Sequence, residues 1–119
     1  MVTRQVAEWL DCKVLAEGGN GPCTPEADAL LRQRNVAILP AILCNAGGVT
    51  VSYLEWVQNR AGVKWELERV DAELKTTITN AARRVRLAAH QYDIDLGTAA
   101  YVVAIDHITK AYLQRGIFP

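Results

Sequence analysis

Apolar residues fall in short unbroken runs in the first third of the chain and recur every three or four positions in most of the rest. The first ten or so residues read as a brief amphipathic helix over 2–11, with Val2, Val6, Trp9 and Leu10 on one side. A short apolar strand follows over 13–16, ending at Glu17 and running into Gly18-Gly19-Asn20-Gly21-Pro22, a tight glycine-rich loop. Thr24-Pro25-Glu26 then joins a capping hydroxyl, a proline at the first helical position and a first-turn acid, a strong helix start. Leu30 and Leu31 of that helix are expected to face inward up to about Asn35. A second strand is expected over 36–39, stopped by Pro40. Strand, helix and strand with a crossover of about twenty residues make a parallel pair, and strands apolar on both faces suit a sheet covered by helices. Two strands are too few for a stable sheet, so the expectation is that the sequence holds only the end of an α/β domain.

The remainder is expected to be helical. Gly47-Gly48 opens a segment in which Val49, Ser52, Tyr53 and Trp56 share one face up to Arg60, and Ala61-Gly62 ends it. A long helix follows with Leu67, Val70, Leu74, Ile78, Ala81, Val85, Ala88 and Tyr92 as its apolar stripe, while Glu68, Asp71, Lys75, Arg83, Arg84 and Arg86 form a solvated side. Asp93-Ile94-Asp95 breaks that pattern, and Asp95 can cap a last helix from Leu96 to about Arg115. Two stripes run along this last helix, Tyr101, Ile105, Ile108 and Tyr112 on one and Ala100, Val103, Ala104 and Ala111 on the other, which implies packing on more than one side.

The chain has 119 residues, 13 basic against 13 acidic, and no formal net charge. One domain with its own core is feasible at this length. The charge balance argues against holding nucleic acid or an anionic membrane by electrostatics. The longest uncharged stretch, Val36–Leu54, is interrupted by Pro40, Asn45, Gly47 and Gly48 and does not read as a membrane span. The first thirteen residues lack the apolar core of a signal peptide, so a soluble, cytoplasmic protein is expected. Cys12, Cys23 and Cys44 have no metal-ligand spacing with one another or with His90 and His107, and are expected to be scattered reduced thiols.

Candidate chemistry gathers in two loops. In open α/β sheets, ligands bind beyond the carboxyl ends of the strands, where backbone amides and helix starts collect. Glu17–Pro22 brings bare backbone and the double-natured amide of Asn20 to such a place, although the same residues fit a plain turn. The segment is neither a G-x-G-x-x-G nor a Walker loop. The second loop, Cys44–Ser52, puts Asn45 at a strand's end and a helix's start. Ser52 lies two turns further on the same side, where its hydroxyl could hold a carboxylate or simply fill the helix surface. Both loops follow parallel strands and should open on one edge.

The stretches Ala16–Asp28 (AEGGNGPCTPEAD) and Asn45–Trp56 (NAGGVTVSYLEW) resemble the C-terminal part of the hexameric glutamate dehydrogenases, in the wider glutamate, leucine, phenylalanine and valine dehydrogenase family. Leu96–Ile105 and Arg115-Gly116 resemble that family's terminal helix and its stop, so the resemblance covers essentially the whole chain. It implies an α/β fold: the C-terminal part of a Rossmann-like dinucleotide-binding domain over 1–60, followed by mainly helical residues 61–119 that return toward a substrate domain. It also implies NAD or NADP as cofactor, glutamate and 2-oxoglutarate with ammonia as reactants, and a homo-oligomer, a hexamer in the family. Asn20 and Asn45 match asparagines lining the nicotinamide end of the cofactor cleft. Ser52 matches the serine that contacts the substrate's side-chain carboxylate, and Val49 the position touching its aliphatic part. The leucine, valine and phenylalanine enzymes carry an Ala-Asn-Asn type loop in place of Gly18–Pro22 and lack the second-carboxylate hydroxyl, so glutamate is the favoured substrate. Gly19 stands where the family usually has alanine, Ala41 where an acid is common, and Cys23 where threonine is frequent.

The family's activated lysine, proton-transferring acid and glycine-rich dinucleotide loop have no counterpart here. Lys13, Lys64, Lys75 and Lys110 match no catalytic motif, so no catalytic residue and no metal ligand is assigned. By itself the chain is expected to be inactive. It reads as the last segment of a dehydrogenase, as a non-catalytic module that joins full-length subunits, or as an unrelated helical domain, a reading the two loop motifs disfavour.

Overall fold

A computed structural model describes residues 1–116 and contains, in order, α1 (Arg4–Trp9), β1 (Val14–Ala16), α2 (Pro25–Gln33), β2 (Ala37–Leu39), α3 (Ala41–Cys44), α4 (Ala46–Ala61), α5 (Leu67–Tyr92) and α6 (Leu96–Arg115). The Ile117–Pro119 tail lies outside the described residues. β1 and β2 pair in parallel, Val14 opposite Ala37, Leu15 opposite Ile38 and Ala16 opposite Leu39. The described residues are thus α/β, with one two-stranded parallel sheet and six helices. Among the described residues no helix is long and apolar enough to cross a membrane.

Local chemistry sets the boundaries. The Thr24 hydroxyl accepts from the Ala27 N–H at 3.3 Å and Pro25 opens α2, as its sequence requires. Asn35 closes it with φ 58°, a left-handed turn that asparagine tolerates, and the chain passes directly into β2. Gly62 (φ 65°) ends α4, and Asp93 (φ 52°) ends α5. Asp95 caps α6 through hydrogen bonds from the Thr98 N–H (2.9 Å) and hydroxyl (2.7 Å).

Two small cores result. Ala7, Ala27, Leu31, Val36 and Ile38 are buried where α1 and α2 cover one face of the sheet. Val85, Ala88, Ala99 and Ala100 are buried between α5 and α6, where small side chains let the two helices approach closely. Arg34 ties α1 down, donating to the carbonyls of Ala7 (2.6 Å) and Leu10 (2.7 Å) beyond the helix's last turn. Arg32 links the two halves, pairing with Asp28 at 2.6 Å and with Asp95 at 3.0 Å.

Several expectations need correction. Trp9 does not join the inner side of α1 but is 77% exposed, and the helix buries Ala7 instead. The strands are covered on one face only: Ile38 is buried while Val14, Ala37 and Leu39 are exposed. The stripe of α5 is buried at Val85 and Ala88 but bare at its ends, Leu67 and Tyr92. On α6 the alanine stripe packs inward at Ala100 while Tyr101, Ile105, Ile108 and Tyr112 face solvent. Residues 41–44, between the second strand and the loop expected from Cys44, form the short helix α3.

Exposed apolar rows of this extent are uncommon on a monomer. The isolated chain is expected to self-associate or to melt without cooperativity; light scattering coupled to size-exclusion chromatography, with calorimetry, checks this, and a monodisperse monomer with one sharp transition contradicts it. Burial opposes ionisation of the Asp95 carboxyl, but the Thr98 hydrogen bonds and the Arg32 guanidinium outweigh it and hold the carboxyl below its usual range. Its stabilising contribution is therefore present above the unfolded value near 4 and is lost as pH falls through the lower folded value. Asp95→Ala should cost α6 about 1 kcal/mol of helix stability at pH 7, read as a loss of far-UV helical signal, a difference that shrinks at pH 2.

Candidate functional site

The parallel register places the carboxyl ends of β1 and β2 side by side, so the chain leaves both strands on one rim. From β1 it enters Glu17–Pro22, and from β2 it passes Pro40 into α3 and reaches Asn45. There the two turns meet: the Asn45 Nδ2 donates to the Asn20 Oδ1 at 2.8 Å. Gly21 has φ 57°, the left-handed backbone that lets the first turn fold back beside the second. Asn45 stands at the N-cap of α4 without capping it, since its side chain is committed to Asn20 instead of to the helix's own N–H groups.

This pairing leaves the Asn20 NH₂ and the Asn45 Oδ1 without a partner among the described residues. The two free groups are what a primary carboxamide needs, since it presents one carbonyl and one NH₂. The donor set thus fits the carboxamide of a nicotinamide ring on its own chemistry.

The helix starts at Ala46, so Gly47 and Gly48 lie inside its first turn and Val49 and Ser52 are helical residues, not loop residues. Asn45, Val49 and Ser52 stand at i, i+4 and i+7, one stripe along α4, with Ser52 about 10 Å along the axis from Asn45. Val49 is 70% exposed, and Ser52 is exposed as well. The stripe continues to Trp56, which stacks with Tyr53 (5.9 Å between centroids) and lies under the Arg60 guanidinium at 5.2 Å. No contact joins Ser52 to the asparagine pair; the helix places it on the same side. A hollow of about 350 Å³ between α3, α5 and α6, lined by Ile42, Ala81, Val85, Val103 and His107, contains none of Asn20, Asn45, Val49 or Ser52. Asn20, Val49 and Ser52 are exposed and Asn45 half-buried, so the candidate groups lie on an open surface.

Two supporting groups escaped sequence reasoning. The Glu17 carboxylate accepts the Ala41 N–H at 2.9 Å, binding the root of one turn to the root of the other. Its position directly after one strand, with the partner strand stopped at Pro40, is the signal that could have revealed it. The second is the Tyr53–Trp56–Arg60 stack, where spacing shows a shared face but not the stacking. The cysteines are free; Cys44 is exposed, Cys12 and Cys23 half-buried. Among the described residues no cluster of His, Cys, Asp or Glu could hold a metal ion.

Residues 1–116 match the family model for glutamate/leucine/phenylalanine/valine dehydrogenase, and the chain belongs to that family. Over 113 residues it is 45% identical to the glutamate dehydrogenase of Thermotoga maritima, covering 95% of this chain and 27% of that one. In Halobacterium salinarum it is 43% identical to NAD-specific glutamate dehydrogenase A over all of this chain and 27% of the relative, and 44% identical to NADP-specific glutamate dehydrogenase A1 over 99% and 28%. The crystal structure of glutamate dehydrogenase from Peptoniphilus asaccharolyticus superposes with a TM-score of 0.90 at 38% identity, over 98% of this chain and 30% of that one. The hetero-hexameric glutamate dehydrogenase from Thermus thermophilus in its leucine-bound form also gives 0.90, at 28% identity over 98% and 28%. The chain thus spans less than a third of the relatives it matches, in their C-terminal part.

Burial, with the Glu17 and Asp28 carboxylates adding to it, pushes the Cys23 thiol up to about 11, so only about one such thiol in a thousand is ionised at pH 8. A disulfide-type thiol reagent at pH 8 should label Cys44 promptly and Cys23 last, as read by peptide mass mapping; prompt labelling of Cys23 contradicts the described environment.

Proposed function

We propose that this chain is the C-terminal portion of an NAD(P)-dependent glutamate dehydrogenase, which interconverts L-glutamate with 2-oxoglutarate and ammonia, and that it supplies one wall of that enzyme's cleft. The observation that carries the reading is the 2.8 Å hydrogen bond between Asn45 and Asn20 at the carboxyl ends of two parallel strands. Residues 1–60 are then the end of a Rossmann-like dinucleotide-binding domain, and residues 61–119 a helical region returning toward a substrate domain. Relatives named NAD-specific and NADP-specific support either cofactor.

The cofactor supplies hydride chemistry when bound; the residues of this chain position its ring and the substrate. The Asn20 Nδ2 donates to, and the Asn45 Oδ1 accepts from, the nicotinamide carboxamide. Bonded at both groups, the ring would be held in one orientation beside the substrate. On the next turns of α4, the Val49 side chain packs on the aliphatic part of glutamate, and the Ser52 hydroxyl donates to its side-chain carboxylate. A monocarboxylic amino acid leaves that hydroxyl unmatched, which favours glutamate over leucine or valine. Proton transfer belongs to groups outside this chain, which is expected to show no turnover by itself.

A second reading, a non-catalytic module that joins full-length dehydrogenase subunits, is favoured by the exposed Tyr101, Ile105, Ile108 and Tyr112 row on α6. It predicts co-purification with an intact dehydrogenase at fixed stoichiometry. The hexamer named for the Thermus thermophilus structure supports assembly of the complete enzyme as an oligomer.

The primary reading is tested by grafting the chain in place of the matching C-terminal part of the Thermotoga maritima enzyme. The chimera should oxidise glutamate, and Ser52→Ala should raise KM for glutamate at least tenfold, the scale of one hydrogen bond to a charged group, with a smaller change in kcat. An unchanged KM contradicts the role of Ser52, and turnover by the isolated chain contradicts its dependence on the remainder of the enzyme.

A further inference from the structure

The asparagine pair closes a ring of chain whose other end is held by Glu17. The Glu17 N–H donates to the Leu39 carbonyl at 3.1 Å, extending the sheet one step beyond Ala16. β2 faces β1 with alternate residues, the Ala37 N–H bonding the Lys13 carbonyl and the Leu39 carbonyl taking the Glu17 N–H, so the next donor in register is the Ala41 N–H. The Glu17 side-chain carboxylate takes that N–H at 2.9 Å. Ala41 is the first residue of α3, where helix N–H groups lack partners within the helix, and α3 has only four residues with which to hold its own direction. From this junction the two segments part, Gly18–Asn20 on one side and α3 on the other, and they touch again at Asn20 and Asn45.

The far end of the first turn is held by the Val2 N–H, which donates to the Pro22 carbonyl at 2.6 Å, and its near end by Glu17; the stretch between them has little support. Gly18 and Gly19 carry no side chain, and a Cβ built at either would meet nothing within 4 Å, so neighbouring atoms do not brace that backbone. Among the described residues Glu17 forms no ion pair. Its half-buried carboxylate is spent on the junction, with the Cys23 thiol beside it.

We propose that Glu17 is a positioning residue: by bonding the Ala41 N–H it sets the separation of the two turns, and so holds the Asn20 donor and the Asn45 acceptor in the spacing a carboxamide ligand requires. This rests on the reading of the site given above, and it assigns to Glu17 no contact with substrate or cofactor.

The test follows the side-chain amide of Asn45 by ¹⁵N NMR in the full chain, with hydrogen exchange measured for the wild type, Asn20→Ala, Glu17→Ala, Glu17→Gln and Ala41→Pro. Ala41→Pro removes the donor while leaving Glu17 intact, and proline suits the first position of a helix. Asn20→Ala should speed exchange of the Asn45 amide by about fivefold, the scale of one lost hydrogen bond. Glu17→Ala and Ala41→Pro should each move it most of the way to that value, while Glu17→Gln, which keeps an acceptor oxygen, should stay near wild type. The amides of Val85 and Ala99, in the distant α5–α6 core, should not change in any variant, which separates positioning from general loosening. If Asn20→Ala speeds exchange but Glu17→Ala and Ala41→Pro do not, the clamp is overturned while the asparagine pair stands. If Asn20→Ala itself has no effect, the pair is absent in solution and both ideas fall.

Discussion

The parallel pairing of β1 and β2 is the constraint on which the candidate chemistry depends. Parallel strands cannot be joined by a tight turn, so the chain must cross over through α2, and the crossover returns both carboxyl ends to one rim. Only that topology puts Asn20 and Asn45, 25 residues apart in sequence, within one hydrogen bond of each other. An antiparallel pair would have sent the two exits to opposite ends. The packing of Leu31, Val36 and Ile38 beneath the sheet matters to the site mainly because it holds this register.

The rim is built from groups that each solve a local backbone problem. Where the sheet ends, the Glu17 side chain takes the next N–H in register, that of Ala41, from across the sheet. Asn45 sits where a helix start wants a capping side chain, yet gives its amide to Asn20. A local helix preference has been given up for a contact between turns, and such conflicts between local and global preference are characteristic of functional positions. Relatives at 43–45% identity are glutamate dehydrogenases more than three times as long as the matched segment. Val14 and Leu39 on the open sheet face and the tyrosine and isoleucine row of α6 are apolar positions left uncovered among the described residues.

Much of this was readable from residue order, and the failures have physical causes. Capping residues announced themselves, Thr24 with Pro25 for α2 and Asp95 for α6, because an N-cap is a local interaction that needs no tertiary information. The three-to-four spacing of α5 gave its length within a residue because 26 residues average out exceptions. α3 escaped because Ala-Ile-Leu-Cys is too short to show any period, and the proline before it reads equally as a strand stop. Which face of a stripe is covered could not be read. Trp9, Leu67 and Tyr92 have the spacing of core residues, but burial depends on partners, and periodicity says only that a face exists. At the site, the loops and their asparagines were legible as motifs. The bond between the asparagines and the clamp beneath them were not, because both depend on side chains from segments more than twenty residues apart.

The most direct measurement is a double-mutant cycle on cofactor affinity in the grafted enzyme, using Asn20→Ala, Asn45→Ala and the combination. Because the two amides complete one another, either loss alone should weaken NAD(P) binding almost as much as the two together, giving a coupling energy well above the scatter of independent sites. Losses that simply add, or an affinity indifferent to both substitutions, would show that the two turns do not form one site.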